Sequence, residues 1–140
     1  MSGAVVVDAS ILVKLFSHEK EKFVAEARKL YSLIKLGKLQ AFAPTFVLVE
    51  VLNVLAVVKN FDEDRVNEAL QRLKRLGIVF ADLNIAETEK LTRLHYRYGV
   101  TAYDALYLLL ATNLGCKLVT EDKKLLKIKK HCVGLKSLKL

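Results

Sequence analysis

The stretch Ala4-Val5-Val6-Val7-Asp8-Ala9-Ser10-Ile11-Leu12 indicates the fold class of this chain. Its four consecutive apolar residues are typical of a strand that is buried on both faces, as the strands of parallel sheets are. The run ends at Asp8, and residues 10–16 are predicted to form a short helix. A buried strand that leads directly into a helix is typical of α/β proteins. The stretch therefore predicts an α/β fold with a parallel sheet.

The same alternation of strands and helices continues along the chain. Further helices are predicted over residues 19–36, from Pro44 to about Val58, over 62–76 and 84–98, from Thr101 to near Gly115, and from Asp122. Further strands are predicted at residues 39–43, 78–80, 117–120 and 131–133, and the strand at 78–80 is predicted to be buried. This pattern indicates a parallel sheet covered on both faces by helices. Because no low-complexity linker or internal repeat interrupts it, we expect residues 1–140 to form a single domain.

The composition indicates a polyanionic partner. The 140 residues are 53% hydrophobic, and 23 lysines and arginines outnumber 15 acids to give a net charge of +8. Seven lysines and only two acids lie in residues 121–140. Such an excess suits a nucleic acid or an anionic membrane surface. The alternative is that this end of the chain is a solvated surface that keeps the protein soluble.

No segment of the chain is typical of export or membrane insertion. Asp8 and Lys14 interrupt the first apolar stretch, and Glu50 interrupts the longest later one. We therefore predict a cytoplasmic protein that does not enter a membrane. The only cysteines, Cys116 and Cys132, are too few for a zinc site or a disulfide framework. They are either small buried residues or one disulfide pair.

Four acidic residues lie next to or within apolar segments, where the fold has no need of them. They are Asp8, Glu50, Asp104 and Asp122. Asp8 and Asp122 follow predicted strands, and in parallel sheets ligands bind at the carboxyl ends of strands. A carboxylate near a dry core loses hydration, which hydrogen bonds, a cation or protonation must replace. If folding brings the four together, the natural partner is a divalent metal ion.

Three of these acids also have a simpler interpretation. Asp8 and Asp122 each precede a predicted helix, where an aspartate side chain can cap the free N–H groups of the first turn. Asp104 follows Thr101 at the spacing of a capping box, with aspartate in place of the usual glutamate. Each of these three residues, taken alone, is explained by capping.

Glu50 is harder to explain as a structural residue. It lies inside a helix that is apolar on almost every side, and only Asn53, one turn later, offers a shared polar stripe. An ionisable group on a helix of this kind is a candidate functional residue. Glu21, by contrast, is predicted to lie on a solvated helix face. Other chemistries lack their parts, because the chain has no glycine-rich phosphate loop, no paired histidines and no nucleophile with an obvious base.

With these residues in view, the chain resembles the PIN-domain family over nearly its whole length, and most closely the VapC-type toxin ribonucleases. The matching segments are residues 5–14 (VVVDASILVK), 44–55 (PTFVLVEVLNVL), 101–111 (TAYDALYLLLA) and 118–125 (LVTEDKKL). Each segment carries one of the four acids at the family's position. Glu121 lies beside Asp122, and the family's threonine-x-aspartate pattern favours Asp122 as the metal ligand.

The resemblance implies a three-layer α/β/α fold with a parallel sheet of about five strands and the four acids at its carboxyl edge. It implies an endoribonuclease that depends on Mg²⁺ or Mn²⁺ and leaves 5′-phosphate and 3′-hydroxyl ends. Asp8, Asp104 and Asp122 are the expected metal ligands, and Glu50 is expected to bind a second ion or to help activate water. A homodimer and a cognate antitoxin protein are implied as well.

Other side chains have predicted roles around this site. Ser10 and Thr120 are predicted to orient the metal ligands through their hydroxyl groups. Lys14, Arg93, Arg97 and the lysine-rich end of the chain are expected to contact the RNA backbone. Tyr103 and Tyr107 are interpreted as core residues, with base stacking as the alternative.

Two other functions remain open from the sequence. One is a PIN-domain nuclease of RNA processing or decay, which the same catalytic residues would serve. The other is an RNA-binding PIN module without catalysis, against which the retention of all four acids argues.

Overall fold

A computed structural model describes residues 3–140, and its centre is a five-stranded parallel sheet. The strands are β1 (Gly3–Val7), β2 (Leu39–Pro44), β3 (Val79–Ala81), β4 (Lys117–Val119) and β5 (Cys132–Val133). They lie in the order β3-β2-β1-β4-β5, and every neighbouring pair is parallel. Because β1 lies in the middle, its valines are buried on both faces, which explains its continuous apolar run.

Helices flank the sheet, which confirms the predicted α/β/α architecture. They are α1 (Ala9–Leu12), α2 (Val24–Lys35), α3 (Val47–Asn53), α4 (Glu63–Arg75), α5 (Thr88–Tyr98), α6 (Ala102–Leu114) and α7 (Lys123–Leu126). A 3₁₀ turn (Val13–Leu15) follows α1, a π-helical segment (Val54–Val58) follows α3, and further 3₁₀ turns span Ile85–Glu87 and Leu135–Ser137. The helix α6 packs on β1, β2 and β4, which places its first turn beside the carboxyl edge of the sheet. Among residues 3–140, no helix has the length and apolar character needed to cross a bilayer.

The segment before α2 differs from the prediction of a helix over residues 19–36. The helix begins at Val24, because Lys20 and Phe23 adopt left-handed backbone conformations with φ of 58° and 59°. An L-residue in that conformation cannot continue a right-handed helix. The side chains of Lys14 and Lys59 instead bind the carbonyl oxygens of this loop. Tertiary contacts therefore replace the helix that local sequence favoured.

Three smaller predictions are also revised. Pro44 ends β2 and does not begin a helix, and the next helix starts at Val47. The strand at residues 78–80 was predicted to be buried, but β3 is an edge strand and Val79 is 43% exposed. Cys116 and Cys132 are both free, so the alternative of a disulfide pair is wrong.

Candidate active site

A cleft of about 360 Å³ opens at the carboxyl ends of β1 and β4. All four predicted acids line it: Asp8, Glu50, Asp104 and Asp122. Asp8 directly follows β1, and Asp122 lies three residues after β4. Glu50 comes from the middle of α3, and Asp104 lies in the first turn of α6. Four separate elements therefore contribute one carboxylate each to a single concave surface.

Asp8 is the most buried of these acids, with 7% of the residue exposed. Its Oδ1 accepts hydrogen bonds from Ser10 Oγ at 2.6 Å and from the Ile11 amide at 3.3 Å. Its Oδ2 accepts a hydrogen bond from the Thr120 hydroxyl. Burial raises the pKa of Asp8 from 3.8 to about 6, against the opposing effect of the Ser10 and Thr120 hydrogen bonds. The capping interpretation is also correct, because the Ile11 amide lies in the first turn of α1.

Thr120 connects Asp8 with Asp122. Its Oγ1 accepts a hydrogen bond from the Asp122 amide at 3.0 Å while it donates to Asp8. Asp122 in turn caps α7, where its Oδ1 accepts from the amides of Lys124 at 2.9 Å and Leu125 at 3.1 Å. The two acids that follow strands are thus fixed relative to each other by one buried hydroxyl.

Glu50 is held by a tyrosine from another helix. The hydroxyl of Tyr107 donates a hydrogen bond to Glu50 Oε1, and the residue Tyr107 is almost completely buried. Burial raises the pKa of Glu50, the Tyr107 hydrogen bond lowers it, and the charge of Asp104 raises it further. Tyr107 is a core residue as predicted, whereas Tyr103, one turn earlier, is 59% exposed. The contact joins residues 57 positions apart, so no local pattern could have indicated it.

Asp104 completes the cluster. Its amide donates a hydrogen bond to Thr101 Oγ1 at 3.1 Å, so Thr101 caps α6 as predicted. Burial raises the pKa of Asp104, the charge of Asp122 adds to this, and Thr101 and Lys124 lower it. Repulsion between carboxylates thus links Asp8 to Glu50, Glu50 to Asp104, and Asp104 to Asp122. A cation in the cleft would relieve all three repulsions.

The donor chemistry of the cleft fits a hard divalent cation, although the side chains are not gathered around one point. In the described part of the chain, no group of three or more histidine, cysteine or acidic residues is arranged to hold a metal ion. Carboxylate oxygens are nevertheless the ligands that Mg²⁺ and Mn²⁺ prefer. An ionised carboxylate has about four lone-pair sites, so Asp8 and Glu50 can keep their hydroxyl donors while they bind an ion.

Sequence reasoning missed an ion-pair network at the rim of the cleft. Glu21 lines the cleft and accepts from Lys14 Nζ at 3.0 Å and from Lys59 Nζ at 2.9 Å. Burial raises its pKa, but hydrogen bonds from Lys59 and Lys14 outweigh this and the pKa is lowered. The prediction of a solvated helix face is therefore wrong for Glu21. Lys14 was expected to contact the RNA backbone, but it is only 4% exposed and does not present its charge there.

Glu121 also lines the cleft, but its carboxylate serves the C-terminal segment. Its Oε2 accepts a hydrogen bond from the Leu135 amide at 2.9 Å. The acid whose charge acts on Asp104 is Asp122. The choice of Asp122 over Glu121 as the metal ligand, which the threonine-x-aspartate pattern favoured, stays a prediction.

Comparisons with known proteins agree on one family. The PIN domain family model matches residues 5–131. Ribonuclease VapC3 of Pyrobaculum aerophilum is 32% identical over 129 residues, which are 86% of this chain and 90% of that protein. A solved structure of a protein from P. aerophilum has a TM-score of 0.66 and 25% identity, and the match covers 98% of this chain and 93% of that one. A toxin-antitoxin complex from Klebsiella pneumoniae has a TM-score of 0.67 and 19% identity, covering 94% of this chain and 97% of that one. The chain therefore belongs to the PIN-domain family and, within it, to the VapC group.

Proposed function

We propose that this protein is a divalent-metal-dependent endoribonuclease and the toxin of a toxin-antitoxin pair. The observation that carries the proposal is the cleft in which Asp8, Glu50, Asp104 and Asp122 meet from four separate elements. Helix capping accounts for Asp8 and Asp122 one by one, but it does not account for the gathering of four carboxylates that repel one another. The name of the 32% identical relative, a ribonuclease, supports the same activity.

In this proposal the acids hold Mg²⁺ or Mn²⁺. Asp8, Asp104 and Asp122 are ligands, directly or through water, and Glu50 binds a second ion or orients the attacking water. When bound, the ion supplies a water of lowered pKa and neutralises charge on the leaving oxygen of the scissile phosphodiester. The protein's own contribution is to keep these oxygens in place before the substrate arrives and to oppose, through hydrogen bonds, the loss of charge that burial favours.

Two hydroxyl groups perform that task for Asp8. Ser10 and Thr120 donate to opposite oxygens of its carboxylate, which fixes the orientation of the group. Both hydrogen bonds also favour the ionised form, the only form that binds a metal ion well. Tyr107 has the equivalent role for Glu50, since its hydroxyl donates to Oε1.

RNA must approach a cleft lined with carboxylates, so cations near its rim are required. Lys124 lies close enough to Asp104 to lower the pKa of that carboxyl group. It belongs to the lysine-rich end of the chain, which we propose as the surface that contacts the RNA backbone. Binding to RNA is then expected to weaken steeply as the salt concentration rises.

The partners of this chain are proposed as a second copy of itself and an antitoxin. Four apolar side chains on α3 and the π-helical segment are more than 40% exposed, which suits a protein interface: Val49, Leu52, Val57 and Val58. The structure from K. pneumoniae is a complex of a toxin with an antitoxin. Location in the cytoplasm stays a prediction from the sequence.

One observation favours a second candidate, an RNA-binding module without catalysis. Among the described residues, no three potential metal ligands are already arranged around one point.

A nuclease that serves RNA processing or decay would use the same site as a toxin. A small neighbouring reading frame that encodes a binding partner would favour the toxin over that alternative.

The deciding experiment compares cleavage of end-labelled RNA by the wild type and by Asp8→Asn, each with added Mn²⁺ and with a chelator. Glu89→Gln is the matched control, because Glu89 is exposed on α5 and pairs only loosely with Arg93 at 3.4 Å. Cleavage by the wild type and Glu89→Gln, but not by Asp8→Asn, is the expected result. If all three proteins show the same background level of RNA cleavage, the proposed nuclease activity is wrong.

A further inference from the structure

Beside the cleft, two aromatic rings form a stack that the fold leaves open to solvent. The rings of Phe46 and Tyr103 lie with centroids 5.0 Å apart and planes 11° from parallel. Phe46 is partly buried, whereas Tyr103 is 59% exposed. We call this pair the aromatic platform. Because more than half of Tyr103 remains exposed beside this stack, a flat ligand has ring surface to cover.

Both rings of the aromatic platform are held at the starts of helices. Tyr103 lies in the first turn of α6, which Thr101 fixes by accepting the Asp104 amide. Phe46 immediately precedes α3, and its carbonyl oxygen accepts the amides of Val49 at 3.0 Å and Glu50 at 3.2 Å. The backbone positions of both rings are therefore set before any ligand binds.

The aromatic platform lies on the same helix turns as two acids of the cleft. Tyr103 is adjacent to Asp104 in the chain, and Phe46 lies one helical turn before Glu50. Each ring thus neighbours one of the carboxylates that line the cleft. The aromatic platform therefore borders the cleft through the helix turns that carry Glu50 and Asp104.

We propose that the aromatic platform stacks on one unpaired nucleobase of the RNA, beside the phosphate that is cleaved. This inference rests on the proposed function and adds to it that the substrate is single-stranded at this position. Bases in an RNA duplex are already stacked on their neighbours, whereas a base in a loop or single strand can turn outward onto an aromatic side chain. Stacking is also an attraction that the negative charge of the cleft does not oppose.

Binding is tested with short single-stranded RNAs that carry the fluorescent base 2-aminopurine at successive positions, on the Asp8→Asn background to prevent cleavage. Stacking on an aromatic ring quenches this base, so we expect quenching by the protein at one position only. Tyr103→Leu, which keeps apolar volume without an aromatic face, should abolish that quenching and weaken binding roughly 5- to 150-fold. Tyr103→Phe should restore both.

The matched control is Tyr96→Leu. Tyr96 is 78% exposed on α5 and makes an edge contact with His95, away from the residues that line the cleft. This substitution should leave quenching and affinity unchanged. Equal losses in Tyr96→Leu and Tyr103→Leu, or quenching that survives Tyr103→Leu, overturn the aromatic platform as a base-stacking site, as does a failure of the RNA to bind at all.

A cleavage series separates this inference from the proposed function. An abasic nucleotide is placed at each position in turn, and kcat and KM are measured for the wild type and Tyr103→Leu. At one position, the abasic nucleotide should lower kcat/KM of the wild type by the same factor as Tyr103→Leu lowers it on intact RNA. Tyr103→Leu acting on the RNA with that abasic nucleotide should show no further loss. Cleavage without such a position overturns the platform and leaves the nuclease intact. Position-specific quenching without any cleavage overturns the nuclease and leaves the platform intact.

Discussion

Thr120 donates a hydrogen bond to Asp8 across 112 positions of the chain, and its hydroxyl accepts the amide of Asp122 as well. Thr120 is completely buried, so no water can replace either contact. Thr120→Val keeps the shape of the side chain but removes both hydrogen bonds. We expect it to lower the free energy of unfolding by about 1–3 kcal/mol, measured by urea denaturation, and Thr120→Ser to cost much less. Equal effects of valine and serine would mean that the hydroxyl is not what matters.

The raised pKa of Asp8 predicts a pH dependence of stability in the absence of metal ions. Its pKa is about 6 in the folded protein against an ordinary value of 3.8, so folding favours the protonated form. The stabilisation from protonated Asp8 is complete below pH about 4 and is lost as the pH rises to about 6. The difference of about two pKa units corresponds to about 3 kcal/mol.

Asp8→Asn should therefore flatten the fall in stability between pH 4 and 6 and leave the apo protein at least as stable as the wild type at pH 7.5. Folding also raises the pKa values of Glu50 and Asp104 and lowers that of Glu21, so some pH dependence of stability will remain in this variant. Thermal melts across this range make the measurement. If the stabilities of the wild type and of Asp8→Asn rise by the same amount from pH 4 to 6, the assignment to Asp8 is wrong.

Manganese is predicted to stabilise the folded protein through the cleft. A ligand that binds only the folded state raises the melting temperature, and the rise grows with the logarithm of the ligand concentration relative to its Kd. We expect Mn²⁺ to raise the melting temperature of the wild type, and Asp8→Asn and Asp104→Asn to lose most of this rise. Glu89→Gln serves as the control, since it removes one exposed carboxylate outside the cleft. An equal rise in all four proteins would show that the ion binds elsewhere.

Tyr107→Phe is predicted to impair activity more than stability. The change removes the hydroxyl that holds Glu50 and keeps the ring in the core. Because Glu50 is half-buried, water can satisfy its free oxygen, and the cost in unfolding free energy should stay near 1 kcal/mol. We expect kcat to fall about tenfold with little change in KM. Tyr96→Phe, at an exposed tyrosine, should change neither value.

The ion-pair network at the rim predicts which loop opens first. Glu21→Gln leaves the buried ammonium of Lys14 without its carboxylate, at a cost of roughly 3 kcal/mol. Residues 17–23 should then become a site of limited proteolysis, because Lys14 and Lys59 both anchor this loop. Glu19→Gln is the control in the same loop, since its side chain is exposed. Equal proteolysis of the two variants would contradict an anchoring role for Glu21.

The features that could be predicted from sequence are those that local patterns encode. The valines of β1 indicate a strand buried on both faces. Thr101 and Gly115 mark the ends of α6, because an N-cap and a left-handed glycine act on residues close to them in sequence. The start of α2 could not be predicted, since contacts from Lys14 and Lys59 decide it.

The candidate site divides in the same way. Asp8 and Asp122 follow strands, and Glu50 interrupts an apolar helix, so the local sequence indicates each of them. The local sequence does not indicate the residues that hydrogen-bond to these acids from distant segments. Nothing near Tyr107 in sequence indicates that its hydroxyl points at Glu50, and nothing near Glu21 indicates that it lines the cleft. Such contacts arise only when distant segments pack together.

The order of the strands has a consequence for how the protein is made. The strand β1 leaves the ribosome before its neighbour β4, and more than 100 residues separate the two in the chain. Until β4 and the residues after it have emerged, the nascent chain lacks Thr120 and Asp122, so Asp8 has the Ser10 hydroxyl but neither the Thr120 hydroxyl nor its companion acid. If the proposed function holds, a polypeptide truncated before β4 is therefore expected not to cleave RNA.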